Sequence, residues 1–255
     1  ATRGADLEYA QSVTLEEAAA GTEKEIEILH TVACSKCEGT GTKPGTGRKT
    51  CPQCQGTGQV SYARGGFFTF SFSQTCSRCG GSGEVIETPC SLCNGRGKVK
   101  KSSSISLKIP PGVDTGTSIR VRGKGEAGEL GGPSGDLYVV IHVKPHKIFK
   151  REGDDLYTEV PISFTTACLG GEIEVPTLRS GVKMHVPPGT PTDRVFRLKG
   201  KGMPSLHGRG QGDEYIRVIV QVPTKLSSEQ KKLLEEFRRL EHEGGKGIFK
   251  KMFGQ

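Results

Sequence analysis

The chain has 255 residues, 33 % of them hydrophobic, with 37 glycines and no tryptophan, so its apolar content suits several modest cores rather than one large one. No run of about 18 apolar residues occurs and the opening Ala1-Thr2-Arg3-Gly4 is not an apolar leader, which argues against a helical membrane protein and makes a soluble intracellular one the expectation. The formal net charge of +8 is spread along the chain without a dense basic block or interleaved aromatics, which argues against nucleic acid as a partner.

In chain order, Val13 to Gly21 reads as a short helix-like turn and Ile26-Glu27-Ile28 as an alternating strand. Four copies of Cys-x-x-Cys-x-Gly-x-Gly follow, at Cys34 to Gly41, Cys51 to Gly58, Cys76 to Gly83 and Cys90 to Gly97, and take up eight of the nine cysteines. A Cys-x-x-Cys turn presents two thiolates to one ion, and the glycines permit a tight backbone that aims amide groups at the sulfurs. Two such turns complete one tetrahedral four-cysteine site, so four imply two Zn2+ per chain. Eight thiolates around two dications would bring the formal charge down to about +4. A thiol–disulfide oxidoreductase is one alternative, since a redox dithiol has the same spacing, but it needs an exposed thiol of low pKa rather than one held by metal. A zinc-dependent nucleic-acid-binding protein is another, weakened because no helix with clustered base-reading side chains accompanies any repeat.

Sequential pairing of the repeats, one with two and three with four, is open. The segments Gln59 to Ala63 and Phe68 to Ser73, flanking Arg64-Gly65-Gly66, read as a hairpin. A hairpin there favours a nested pairing, with Cys51, Cys54, Cys76 and Cys79 in an inner site and Cys34, Cys37, Cys90 and Cys93 in an outer one. Both sites would be coordinatively full, with no position for an activated water.

Past the cysteines, Ile105, Leu107 and Ile109 alternate as a half-buried strand, as do Leu137, Val139, Ile141 and Val143. Between them, Gly123 to Gly128 fits Gly-x-Gly-x-x-Gly, yet no helix pattern follows, so it reads as a turn between strands and not as a nucleotide site. A second repeat sets the architecture. Ile109-Pro110-Pro111-Gly112 and Ile119 to Gly125 recur 77 residues later as Val186-Pro187-Pro188-Gly189 and Phe196 to Gly202, and the match extends from Gly135-Asp136 to Gly212-Asp213. Upstream, Val13 to Gly21 matches Ile162 to Gly170 at a different offset, so the cysteine-rich stretch is an insertion in the first copy. Cys168 falls opposite Ala19 and is expected to be a buried structural residue. The histidines at 30, 142, 146, 185, 207 and 242 are scattered and define no triad.

Ser227-Ser228-Glu229-Gln230 offers a cap to a helix on which Leu233, Leu234, Phe237 and Leu240 recur at helical spacing until Gly244-Gly245. With Ile248, Phe249, Met252 and Phe253 this is more apolar surface than one short helix buries on its own domain. A homodimer through Leu233, Phe237, Leu240, Phe249 and Phe253 is expected, with docking inside one chain as the alternative. The expected fold is mostly β: two tandem duplicated β-sandwich-like domains, a zinc-binding hairpin module inserted in the first, and a C-terminal helix. The expected bounds are 1–33 with 98–143, then 34–97, 144–224 and 225–255.

The cysteine repeats with their flanking segments closely resemble the cysteine-rich region of the zinc-containing (type I) DnaJ/Hsp40 co-chaperones, and the resemblance runs over nearly the whole chain. It implies the nested pairing and supports the dimer. It also implies a non-enzymatic protein that binds unfolded polypeptides, prevents their aggregation and delivers them to a DnaK/Hsp70 partner. The resemblance further places Ile26, Ile28, Ile105 and Val139 around a client pocket beside a sheet edge, with Gln11 where an apolar residue is usual; ordinary core is the alternative reading of the four. No His-Pro-Asp tripeptide occurs, so the chain is expected to be a carboxy-terminal fragment, and stimulation of the partner ATPase is not expected of it. A bacterial cytoplasm is the expected setting, although organelles carry relatives.

Overall fold

The computed structural model describes residues 2–64, 70–208 and 210–244. They divide into two compact units, Ala1–Pro145 and His146–Gln255. The first contains β1 (Leu7–Val13), α1 (Leu15–Ala20), β2 (Thr22–Ala33), β3 (Lys49–Thr50), β4 (Gln59–Arg64), β5 (Phe70–Thr75), β6 (Glu84–Val85), β7 (Lys98–Ile109), β8 (Ser118–Val121) and β9 (Leu137–Val143). The second contains β10 (Lys150–Glu152), β11 (Asp155–Ser163), α2 (Phe164–Leu169), β12 (Gly171–Val175), β13 (Val182–Val186), β14 (Val195–Leu198), β15 (Glu214–Gln221) and α3 (Ser228–Gly244).

In the first unit β1 runs parallel to β9 and β8 antiparallel to it, while β2 and β7 form a separate antiparallel ladder. The period-two pattern turns Ile26, Ile28 and His30 of β2, and Ile105, Leu107 and Ile109 of β7, to a buried face. Thr14 ends β1 and starts α1. Its hydroxyl accepts from the Glu17 amide at 3.2 Å while the Glu17 carboxylate accepts from the Thr14 amide at 2.9 Å, a reciprocal cap. The Lys24 ammonium, 2.8 Å from that carboxylate, holds Glu17 below the usual carboxylate range.

The second unit repeats this topology. β11, β15 and β14 take the places of β1, β9 and β8, and β12 pairs β13 as β2 pairs β7. Here the two sheets and α2 share one core, built from Val160, Ile162, Ala167, Val175, Met184, Val186, Ile216 and Val218. Ser163 caps α2 by accepting from the Thr166 amide at 3.0 Å. Near the end of the chain the expected helix is present. Ser227 accepts from the Gln230 amide, and the Gln230 side chain accepts from Ser227.

One expectation needs correction and one lies partly out of view. Cys168 is exposed rather than buried; the residue before it, Ala167, packs into the core. A six-residue helix turns only a narrow stripe inward, and in α1 that stripe is Leu15 and Ala18, leaving Ala19, the counterpart of Cys168, beside it. In the hairpin, β4 and β5 pair from Gln59↔Thr75 to Arg64↔Phe70; residues 65–69, and with them Gly65, Gly66 and Phe68, lie outside the described residues.

The duplication also exposes a misfit. At the position where the first unit buries Leu137, 77 residues earlier, the second buries Glu214, fully enclosed and, among the described residues, with no hydrogen-bond partner on either carboxylate oxygen. Burial pushes its carboxyl up to about 7, against a weaker pull from Lys201. The folded carboxyl thus keeps its proton up to about 7 whereas the unfolded chain releases it near 4.5, so stability is full below the lower value, falls across that window and stays low above it. We expect Glu214→Leu to stabilise the second unit by on the order of 2 kcal/mol above pH 7. The difference between the thermal melts of parent and variant should shrink toward pH 4, and a gain independent of pH would contradict this assignment.

Candidate functional site

β2 and β7 keep one register from Thr22↔Ile109 to Ala33↔Lys98, so residues 34–97 leave and re-enter the unit on adjoining rungs. The Cys34 amide donates to the Gly97 carbonyl at 2.9 Å, and the Cys90 amide to Gly41 at the same distance. Farther out, Cys51 donates to Gly83 and Cys76 to Gly58, at 2.8 and 2.9 Å. The structure therefore brings repeat one against repeat four and repeat two against repeat three.

The glycines make this contact feasible. Gly41 and Gly97 sit at φ 79° and 74°, and a Cβ on either would come within 2.4 Å of the carbonyl oxygen of Gly95 or Gly39 in the opposing repeat. The same reciprocal fit joins Gly58 to Gly81 and Gly83 to Gly56. In each repeat the amide of the second glycine also donates to the second cysteine sulfur, at 3.2 to 3.3 Å. Only a residue without a side chain satisfies the positive φ, the close carbonyl and the amide-to-sulfur bond together.

The sulfurs of Cys34, Cys37, Cys90 and Cys93 form one cluster and those of Cys51, Cys54, Cys76 and Cys79 another, each within 4.8 Å throughout. Across the paired repeats the sulfurs stand 3.9 and 3.7 Å apart in the outer cluster and 3.8 and 3.7 Å in the inner one. A tetrahedral ion with metal–sulfur bonds of about 2.3 Å separates its ligands by roughly 3.8 Å, whereas a disulfide needs about 2.05 Å. All eight residues are buried except Cys79, which is half-buried. The Leu92 amide and its neighbours draw the Cys90 thiol down to about 7, while burial among other thiols pushes Cys93 up to about 11. Four enclosed sulfurs cannot all carry charge without a cation between them. The donor set, spacing and burial fit a metal ion.

A family model described as the DnaJ C terminal domain matches residues 7–223. The chain belongs to the DnaJ C-terminal domain family. Among its relatives are proteins named "Chaperone protein DnaJ". That of Acetivibrio thermocellus is 50 % identical over 255 residues, covering 98 % of this chain and 66 % of the relative. That of Nitrosomonas europaea is 50 % identical over 243 residues, covering 95 % and 65 %. That of Opitutus terrae is 51 % identical over 237 residues, covering 93 % and 61 %. The chain spans just under two-thirds of these DnaJ chaperones' length.

Outside the clusters, Ile26 and Ile105 face each other across the β2–β7 ladder. With Ile28 and Val139 they are at most 5 % exposed. Gln11 lies on β1 opposite Ile141, half-buried, and donates to the Ser12 carbonyl. On α3, Leu233, Phe237 and Leu240 are 67 %, 48 % and 55 % exposed, one helical stripe with solvent before it; Phe249 and Phe253 lie outside the described residues. No helix among the described residues is long and apolar enough to cross a membrane.

Sequence reasoning missed the role of the glycine-rich segment after β8. The Gly125 carbonyl meets His30 Nδ1 at 2.9 Å, the Glu126 carboxylate accepts from the Thr31 amide and hydroxyl, and the Ala127 amide donates to the Thr31 carbonyl. More than a turn, the segment seals the end of β2 next to the clusters. Its legible sign was Glu126, an acid among glycines.

The reciprocal glycine contact gives a direct expectation. In metal-loaded protein, Gly97→Ala should disrupt the outer cluster and leave the inner one, halving metal content by elemental analysis. Gly47→Ala, with nothing within 4 Å of its Cβ, should retain full content. Equal loss in the two variants would show that the close contact is not what holds the repeats together.

Proposed function

We propose that this chain is the client-binding part of a zinc-containing DnaJ co-chaperone, which holds unfolded or extended polypeptides, keeps them from aggregating and passes them to a DnaK/Hsp70 ATPase. One observation carries the reading: nested four-cysteine clusters set into one loop of a duplicated β-domain, in a chain matched to the DnaJ C terminal domain over residues 7–223. The clusters take one Zn2+ each, the outer through Cys34, Cys37, Cys90 and Cys93 and the inner through Cys51, Cys54, Cys76 and Cys79. Filled sites of this kind hold structure and leave no position for an activated water, in keeping with a role that is not enzymatic.

In this reading residues 1–33 and 98–143 bind client, 34–97 form the zinc module, 144–224 the second β-domain, and 225–255 the dimer contact. The exposed stripe of Leu233, Phe237 and Leu240 supports a homodimer. Client adds to a sheet edge of the first unit, and Ile26, Ile28, Ile105 and Val139, with Gln11, provide the apolar ground beneath it. Because those four isoleucine and valine side chains are buried, a client side chain reaches them only if the sheets yield locally. Bacterial cytoplasm is the proposed setting.

The deciding experiment measures light scattering from a chemically denatured protein diluted into buffer with and without this chain, alongside zinc content. Suppressed aggregation and two zincs per chain are expected; aggregation unchanged at several-fold molar excess would contradict the reading. Cys54→Ser should lose one zinc and keep the other, because the sites share no ligand. Removal of residues 226–255 should give a folded monomer by sedimentation. For the pocket, Ile28→Ser should cost client affinity with zinc content intact, and destabilisation by about 2 kcal/mol or more without a specific binding loss would assign these residues to core alone.

A further inference from the structure

The ladder of β2 and β7 leaves β2 with one partner strand, and the seal at Thr31 reveals which of its backbone groups face outward. Thr31 gives its amide to Glu126 and its carbonyl to Ala127, so both point away from β7. In an antiparallel ladder this orientation alternates residue by residue, and the register of β2 is unbroken. Leu29, Glu27 and Glu25 therefore also direct their amides and carbonyls to the open side. The 125–127 segment occupies this edge at Thr31 and forms a stop; the edge below it is open among the described residues.

The side chains of those residues form a row on the solvent face. Glu25 and Glu27 are exposed, and Leu29 is 70 % exposed. Opposite them β7 offers Ser106, Ser104 and Ser102, so no cation stands directly across from either glutamate; Lys108 lies opposite Glu23 instead, and Lys24, on the inner face, is committed to Glu17. A strand added to this edge alternates in the same way. Every second side chain would lie on the inner side with Ile26 and Ile28, and the intervening ones beside Glu25, Glu27 and Leu29.

We propose that the β2 edge selects extended segments in which apolar residues alternate with lysine or arginine, and that Glu25 and Glu27 are the specificity-determining residues. Opposite charges side by side on neighbouring strands attract and like charges repel, so the row favours cationic segments and turns acidic ones away. The same acids keep two copies of this edge from pairing with each other, which reserves it for a segment of opposite charge. The proposal rests on the client-binding reading above and adds the client's pattern to it.

Three labelled peptides with identical alternating apolar residues, and lysine, glutamine or glutamate between them, test it by fluorescence polarisation on the full chain. We expect the lysine peptide to bind about fivefold more tightly than the glutamine peptide, and the glutamate peptide to bind more weakly than both. In Glu25→Gln/Glu27→Gln the lysine advantage should fall below about twofold with glutamine-peptide affinity unchanged, whereas Glu235→Gln/Glu236→Gln, which removes the same charge from α3, should keep it. Equal affinity for the three peptides, or a lysine advantage that survives at Glu25 and Glu27, overturns the edge proposal alone. Absence of binding by all three overturns the client-binding reading on which it stands.

Discussion

Cys34 and Gly97 meet on the rung that follows Ala33↔Lys98, joined by a 2.9 Å hydrogen bond, and the geometry of the inserted module depends on this closure. The β2–β7 ladder fixes where residues 34–97 begin and end. Once repeats one and four are held edge to edge, the glycine contacts admit only backbone, and four sulfurs converge at the spacing of one tetrahedral ion. The inner pair repeats the solution at the root of the β4–β5 hairpin. Few of the residues in this module are large and apolar. Its local apolar clusters consist of the cysteines themselves with Val99 on one side and Val60 and Val85 on the other, so a metal held by the clusters would supply the cross-linking that a hydrophobic core cannot.

Duplication explains much of the rest, and divergence between the copies marks where each has been specialised. Both units use a parallel central pair, a capped six-residue helix and an antiparallel ladder. One copy lengthens its ladder and carries the cysteines. The other keeps a short loop between β12 and β13 but accepts a glutamate, unpartnered among the described residues, where a leucine serves in the first. A buried carboxylate without a partner lowers stability at neutral pH, so the second copy is the less tightly held by this criterion.

The parts legible in the sequence were those with a repeat behind them. The cysteine spacing announced the clusters, the hairpin between repeats two and three pointed to nesting, and the 77-residue offset marked the duplicated domain. Single positions were harder. Cys168 sits one residue off the buried stripe of α2, a distinction that alignment with Ala19 could not make because a helix this short has too few turns to show its phase. β1 carries Glu8, Tyr9 and Gln11 and so hides its strand character behind polar residues. The seal of Glu126 on Thr31 joins residues 95 apart, and no local pattern encodes such a contact. The burial of Ile26, Ile28, Ile105 and Val139 follows from alternation, which is equally the mark of a core and of a pocket floor.

The central claim is that the chain closes two metal sites by nested pairing. Replacement of the bound metal by cadmium-113, followed by correlation of each cadmium signal with cysteine β-protons, tests it most directly. Two cadmium signals are expected, one coupled to Cys34, Cys37, Cys90 and Cys93 and the other to Cys51, Cys54, Cys76 and Cys79. A signal that couples the first repeat to the second, or a cadmium bound by fewer than four cysteines, would contradict the account.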